Sequence, residues 1–411
     1  MEKVIGIIDL KSFYASCECA ARHLDIFKTP LVCCDPYRSE SSVVMSVTPY
    51  LKEKYGIGNV CRKRDLPNVP GIIFAVPRMS YYLQISTKVV AIFLKYVSIE
   101  DLHVYSVDES FLNLGPYIKM HGSAERMIKL IQKEIKDKLG LVATAGIGPN
   151  MFLAKIALDN EGKKKEPFLA RWTYDDVQKK LWKIKPIDKI WSIAEGTKNH
   201  LARIGINSIE SLAKADSRLL QKEFGIMGIQ LKNLANGIDE SDIREKIIPE
   251  NPSLSNGQTL IHPYSPKDCE LLLREMNDDL SERLRRSGYL VKKVNVWASR
   301  KTNIYSKEMS LPYSTESPSE LFECIKEAFY DHIGDEEIYG LGISYGNLSI
   351  GNMVQSSLLT DPVSLKKEKN LNLTLDKIRD TYGRNSVLRC SALLEKSTIK
   401  QRHTQIGGHR E

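Results

Sequence analysis

The sequence predicts an α+β protein of several domains, the first built on a ferredoxin-like sheet, and three observations predict it. Its 411 residues exceed what one hydrophobic core usually serves. Apolar residues make up 42% and charged residues 27%, the balance of a folded globular chain rather than a disordered or fibrous one. The N-terminal part alternates short apolar runs with helical periodicity in the order β-α-β-β-α-β-α, the pattern of a split βαβ sheet with helices on one face.

The elements follow in order. Val4–Ile8 is an apolar run ending at Asp9, and a helical stretch runs from about Phe13 to Ala21. His103–Val107 and Phe111–Leu114 read as strands joined through Asp108-Glu109-Ser110, a hairpin. In Ser123–Leu139 the apolar residues Ala124, Met127, Ile128, Ile131, Ile135 and Leu139 fall on one helical face. Val142–Gly148 is a strand, and Asn150 is placed to cap a helix over Met151–Leu158. Residues 22–70 interrupt this unit with a small core of their own, which leaves 1–21 and 71–165 as the sheet module. The polar break Gly-Lys-Lys-Lys-Glu-Pro at 162–167 marks its exit, and 168–240 read as helical throughout, giving a domain over 166–245. Pro249–Pro266 reads as a linker leading into the first strand of a second α/β module at 246–353. That module has helices at Cys269–Ser287 and Ser319–His332 and strands at Lys292–Ser299 and Leu341–Leu348. Residues 354–411 form a basic tail with one amphipathic helix, Leu373–Tyr382.

Composition excludes several classes. The longest apolar runs, such as Val89–Leu94, are far too short to span a bilayer. The start, Met1 to Asp9, carries no long apolar stretch with a cleavage site, so a cytoplasmic protein is expected. Eight cysteines include the adjacent Cys33 and Cys34 and a Cys17-x-Cys19 pair. None has zinc-finger spacing, which fits buried thiols in a reducing compartment. Net charge is +8. Residues 245–355 hold 12 Lys and Arg against 17 Asp and Glu, yet Arg283, Arg285, Arg286, Lys292, Lys293, Arg300 and Lys301 follow one another with no acidic residue between. A basic stripe in an acidic module is expected to face a phosphate backbone.

Asp9 ends the first strand, while Asp108 and Glu109 sit at the apex of the hairpin. If those strands are central neighbours, three carboxylates from distant sequence meet at one sheet edge. Such a cluster repels itself unless cations neutralise it, and oxygen-only ligands favour hard ions, Mg²⁺ or Mn²⁺. Two such ions on shared carboxylates are the machinery of in-line phosphoryl transfer.

Three motifs then resemble one family. Asp9-Leu10-Lys11-Ser12-Phe13-Tyr14-Ala15-Ser16-Cys17-Glu18, Tyr105-Ser106-Val107-Asp108-Glu109-Ser110-Phe111 and Ala145-Gly146-Ile147-Gly148-Pro149-Asn150 through Ala157 resemble the motifs of Y-family, translesion DNA polymerases. The UmuC/ImpB-like branch is the nearest in kind. The closing Ile406-Gly407-Gly408-His409-Arg410 is similar to the tail of UV-damage-repair polymerases of Gram-positive bacteria and their phages. The resemblance implies a ferredoxin-like palm, small fingers, a helical thumb with a helix-hairpin-helix, and an α/β little finger. It implies that Asp9, Asp108, Glu109 and the Leu10 carbonyl hold two Mg²⁺ ions, with Mn²⁺ as a substitute. Phe13 and Tyr14 would lie under the incoming nucleotide, Tyr14 as the steric gate against a ribose 2′-OH.

The same resemblance implies a Tyr and a basic residue from the fingers and a Lys after the third motif, all on the triphosphate. Tyr50 matches. The expected basic position, three before Gly56, holds Glu53, so Lys52 or Lys54 is expected to stand in, with Lys52 chosen. Lys163 is expected as the palm lysine. Ile190–Thr197 through Ile206 resembles the helix-hairpin-helix with Ser192 and Ala194 where glycines are usual, and Glu195 beside the phosphate site. Gln355, Leu358 and Leu359 look like a degraded form of the sliding-clamp peptide Gln-Leu-x-Leu-Phe. The expected function is template-directed, low-fidelity DNA synthesis across lesions in the SOS response. Its expected partners are primer–template DNA, dNTP, the clamp and a small accessory SOS protein. The alternative is a non-catalytic DNA-binding scaffold that recruits the clamp.

Overall fold

The computed structural model describes residues 3–37, 39–58, 61–245, 249–331, 333–350 and 361–410. The chain forms two compact units, Met1–Lys246 and Ile247–Arg410.

The first unit is organised by a five-stranded sheet. Its strands are β1 (Ile5–Leu10), β5 (Leu102–Val104), β6 (Glu109–Asn113), β7 (Ala143–Gly148) and β8 (Leu169–Arg171), in the order β5-β6-β1-β7-β8. β1 is central and antiparallel to both neighbours, with Asp9 opposite Glu109 on one side and Thr144 on the other. Helices α1 (Phe13–Ala21), α3 (Met79–Phe93), α4 (Ile118–His121), α5 (Ala124–Leu139) and α6 (Met151–Ala157) complete the layers. The expected one-sided cover is corrected. A Cβ on Gly6 would meet Ile128 of α5, whereas Cβ atoms on Gly146 and Gly148 would meet the α6 backbone, so the two helices lie on opposite faces. The cause is legible in β1 and β7, which are buried at every position and therefore need cover on both sides. Asn150 caps α6 as expected, its side chain accepting from the Leu153 amide at 2.8 Å.

The insertion folds around β2 (Leu31–Cys33), β3 (Ser46–Val47), β4 (Ile73–Ala75) and α2 (Pro49–Tyr55), with Val32, Val44, Val47, Leu51 and Val69 as its core. Residues 168–240 are not helical throughout: β8 joins the first sheet parallel to β7. A three-residue strand is too short to show a period in sequence. Beyond it, α7 (Asp176–Lys179), α8 (Glu195–Arg203), α9 (Ile209–Lys214), α10 (Ser217–Phe224) and α11 (Ile226–Ala235) share a core around Trp172, Leu201, Ile209 and Leu231.

The second unit carries β9 (Leu254–Tyr264), β10 (Tyr289–Ser299), β11 (Ile304–Thr315) and β12 (Ile338–Gly346) in an antiparallel sheet of order β11-β10-β12-β9, with β13 (Ser349–Ile350) on the end of β10. Helices α12 (Pro266–Ser287) and α13 (Pro318–Tyr330) cover one face. The supposed linker thus holds the whole of β9, and β11 is a strand the periodicity did not announce. The tail is more than one amphipathic helix. α14 (Pro362–Tyr382) and the residues after it pack on α12, where Asp376 takes a fork from Arg285 at 2.8 Å and Asp278 takes one from Arg389. Asp279 is shared by His403 and Arg402, and Glu275 accepts from Ser397 and Thr398.

Candidate active site

β1 and β6 bring the carboxylates together by register. Asp9 and Glu109 are directly opposed, so their side chains leave the same face of the sheet, the face covered by α6. Asp108 precedes Glu109 in a tight turn: the Tyr105 and Ser106 amides both donate to the Glu109 carbonyl at 3.0 Å. The Ser106 hydroxyl donates to Asp108 Oδ1 at 2.7 Å and accepts from the Glu109 amide at 3.0 Å. Leu10 closes the arrangement by donating its amide to the Asp108 carbonyl at 3.0 Å.

Two ammonium groups hold the cluster. Lys163 Nζ lies 3.0 Å from Asp9 Oδ2, 3.5 Å from Glu109 Oε1 and 3.0 Å from Asp159 Oδ1. Lys155, on α6, reaches Glu109 Oε1 at 2.5 Å. Burial pushes the Asp9 carboxyl up to about 7; Lys163 opposes the rise, and the neighbouring Glu109 adds to it. Glu109 feels the same burial, but hydrogen bonds from Asp9 and Lys155 outweigh it and hold its pKa below the usual carboxylate range. The two carboxyls behave as a pair, raised at Asp9 and lowered at Glu109. Asp108 is raised by burial, against the Ser106 hydrogen bond.

Among the described residues, no three acidic, His or Cys side chains stand as a preassembled metal cluster. The donor chemistry nevertheless fits a hard divalent cation. The site offers only oxygen ligands, its carboxylates are buried (Asp9) or half-buried (Asp108, Glu109), and it already requires positive charge at the point that Lys163 occupies.

The remaining expected residues lie as follows. Phe13 is buried and Tyr14 half-buried on α1. The Tyr14 ring stands 5.5 Å from Phe13 and 5.0 Å from Tyr82, whose hydroxyl donates to the buried Glu18 at 2.7 Å. Burial and the nearby Asp108 raise the Tyr14 phenol. Lys54 is turned to Tyr50, donating to its hydroxyl at 2.9 Å, whereas Lys52 is half-buried within the field of Lys11, Asp9 and Lys163. In the helical region Ser192 adopts the glycine-like φ of 79°, and the Trp191 indole donates to the Tyr105 hydroxyl at 3.3 Å.

The seven basic residues of the second unit do not share one face, and the single stripe is corrected. Arg285 is buried against Asp376, Arg286 binds Glu282 and Asp380, and Arg283 donates to the Ser255 carbonyl. Lys293 pairs with Glu308, Lys292 donates to the Pro312 carbonyl, Arg300 is held by Glu336 and the Ile333 carbonyl, and Lys301 is exposed. Helical spacing directs the first three to the C-terminal segment or the β9 edge, while Lys292 and Lys293 sit where the β10–β11 register shifts. Gln355, Leu358 and Leu359 lie outside the described residues.

The profile of the impB/mucB/samB family matches residues 8–159, and that of its C-terminal domain matches 251–358. The putative UV-damage repair protein UvrX of Bacillus subtilis strain 168 is 32% identical over 99% of this chain and 98% of its own. The chain belongs to the impB/mucB/samB family, the UmuC-like Y-family DNA polymerases. DNA polymerase IV 2 of the same bacterium is 29% identical over 99% of both chains. A solved Y-family DNA polymerase chimera built from Dbh and Dpo4 superposes with a TM-score of 0.66, covering 85% of this chain and all of its own at 19% identity. The mixed helix-and-sheet organisation is consistent with the palm, fingers, thumb and little-finger architecture of that family.

Within this polymerase fold the sequence reading passed over three residues that touch the site: Lys155, Lys11 and Tyr82. Lys155 had a signal, as the one charged residue in the buried seven-residue α6. Tyr82 had none, because its helix is amphipathic and a buried aromatic there reads as core. No helix among the described residues is long and apolar enough to cross a membrane.

Proposed function

We propose that this translesion DNA polymerase extends a primer 3′-OH by phosphoryl transfer at Asp9, Asp108 and Glu109, with two Mg²⁺ ions, or Mn²⁺ in their place, held by these carboxylates and the Leu10 carbonyl. The observation that carries the reading is the opposition of Asp9 and Glu109 in register, with Asp108 beside them and the Lys163 ammonium at their junction. Bound divalent ions lower the pKa of the attacking hydroxyl and stabilise the leaving pyrophosphate. The chain's own residues do the rest. The β1–β6 register fixes the carboxylate spacing, and the Ser106 hydroxyl holds Asp108 in its rotamer. Lys163, Lys52 and Tyr50 orient the triphosphate, and Lys163 exchanges its carboxylates for phosphate oxygens as the nucleotide enters. Tyr14, backed by Tyr82, is the wall against a 2′-OH.

Residues 1–21 and 71–165 act as palm, 22–70 as fingers, 166–245 as thumb and 246–353 as little finger. Primer–template DNA meets the little finger through its less committed cations, Lys292, Lys293 and Lys301, while Arg285 serves the fold. The sliding clamp and a small accessory SOS protein are further partners, the clamp through 354–411. Fingers this small enclose little of the nascent pair, so selectivity rests on base pairing and lesions are bypassed at low fidelity. Gap-filling products should carry errors well above those of a replicative enzyme; sequencing that finds replicative accuracy contradicts this. Tyr14→Ala should admit ribonucleotides at least about tenfold more readily, a tenfold ratio corresponding to about 1.4 kcal/mol of lost discrimination. Unchanged sugar selectivity in a single-nucleotide insertion assay would remove the gate from Tyr14.

A further inference from the structure

One buried carboxylate of the first unit has no part in the chemistry at Asp9, Asp108 and Glu109. Glu18 lies on α1 with its side chain wholly enclosed, one helical turn beyond Tyr14 and on the same face. Arg78, at the start of α3, grips it in a fork, Nε to Oε1 at 2.9 Å and Nη2 to Oε2 at 3.0 Å. Arg22 binds Oε2 as well. Both arginines are partly exposed and keep contact with water, whereas the carboxylate has none. An apolar side chain of that size would fill the place at lower cost, because a buried ion pair often fails to repay its desolvation. What the carboxylate adds is an acceptor for Tyr82. The Tyr82 phenol donates to Glu18 Oε1 at 2.7 Å and lies 3.2 Å from Cys33 Sγ. Its single proton goes to Glu18, which can only accept, so the Cys33 thiol donates to the phenol oxygen. Tyr82 is thereby pinned at its hydroxyl between α1 and β2. Its ring stands 5.0 Å from that of Tyr14 and 6.5 Å from that of Phe13. Tyr82 is 1% exposed while Tyr14 is half-buried, so the outer ring rests on an inner one that is anchored.

We propose that Glu18 is a positioning residue for sugar selection: through the Tyr82 hydroxyl it fixes the Tyr14 ring where it excludes a ribose 2′-OH. A wall that rejects a single hydroxyl must not yield, and an aromatic side chain at a helix surface has rotamers of its own. Packing against a ring held by hydrogen bonds removes that freedom, whereas packing against an unanchored ring would leave it. This rests on the reading of Tyr14 as the gate. The chain of contacts from Glu18 through Tyr82 to Tyr14 does not depend on that reading.

Two variants of the full-length protein test it. Glu18→Met keeps the volume and lets Arg22 and Arg78 turn to water, while Tyr82→Phe removes only the hydroxyl. In single-nucleotide insertion each should lower the preference for dNTP over rNTP about threefold, through a rise in kcat/KM for the rNTP. The double variant should do no more than either alone, and neither change should add to Tyr14→Ala, because all act on one ring. A merely structural Glu18 would move the melting temperature and leave the sugar preference where it was. Sugar preference within about 1.5-fold of wild type in both variants, while Tyr14→Ala relaxes it, overturns the proposal. Additive losses in the double variant overturn the route through Tyr82. Should Glu18→Met not fold, Tyr82→Phe carries the same test. If Tyr14→Ala keeps the wild-type preference, the gate reading is what fails. The positioning is then judged by the NMR signal of an isotope-labelled Tyr14 ring: displaced in both variants it stands, and unmoved it is overturned.

Discussion

The burial of Asp9 gives the fold a pH-dependent stability. In the fold its carboxyl is raised from 3.8 to about 7 by burial, so between those values the folded chain keeps a proton that the unfolded chain has lost. The stabilisation this brings is complete below about pH 4 and is lost as pH rises through 7. In chelator-treated protein, the melting temperature of wild type should fall relative to Asp9→Asn between pH 6 and pH 8. Added Mg²⁺ or Mn²⁺ should raise it more at pH 8, where no proton need leave the site. A metal-induced shift equal at both pH values would contradict the buried, protonated pair. Asp9, Asp108 and Glu109 were legible in sequence because each follows an apolar strand, and Lys163 because it opens a lysine run after the third motif. Lys11 was not. A lysine beside a strand end reads as solvated until the fold sets the Lys163 carbonyl and the Phe168 ring beside it.

At the scale of elements, the site depends on how closely α6 approaches the sheet. A Cβ on Gly146 would lie 2.2 Å from the Ala154 carbonyl oxygen, and one on Gly148 2.5 Å from the Ala154 amide. Both contacts are with backbone, which cannot swing aside, and α6 carries Lys155 to Glu109. Gly146→Ala should therefore cost at least about 3 kcal/mol. A denaturant midpoint unchanged from wild type would show that α6 can retreat. Element existence was readable where periodicity was long, as in α5, whose five buried residues match the predicted stripe. It failed where the chain was short or two-sided. β8 has three residues, β11 alternates along an edge, and the face of the sheet that α6 covers depends on glycines whose role appears only when a helix lies on them.

At the scale of the whole molecule, residues 361–410 belong to the second unit rather than trailing from it. α12 is acidic on its outer side, and Glu275, Asp278, Asp279 and Glu282 are all met by partners between Arg379 and His403. Arg285 and Asp376 are both nearly enclosed, with side chains 7% and 11% exposed, so Arg285→Ala leaves a buried carboxylate with only Arg379 at 3.9 Å and should cost about 2 kcal/mol. A melting temperature unmoved by that change would return the segment to the status of a tail. Charge counting in sequence could not reveal this arrangement, because residues a hundred positions apart cancel one another and the basic stripe dissolves into intramolecular pairs. The catalytic reading stands on different ground, the opposition of Asp9 and Glu109 in register with Asp108 next to it in the chain. Primer extension by the purified protein with Mg²⁺, run beside Asp108→Asn, tests it most directly. Extension by wild type that falls at least about a thousandfold in the variant is the expected result. Extension that survives in Asp108→Asn, or a wild type that binds primer–template DNA in a salt-sensitive manner without extending it, would contradict it.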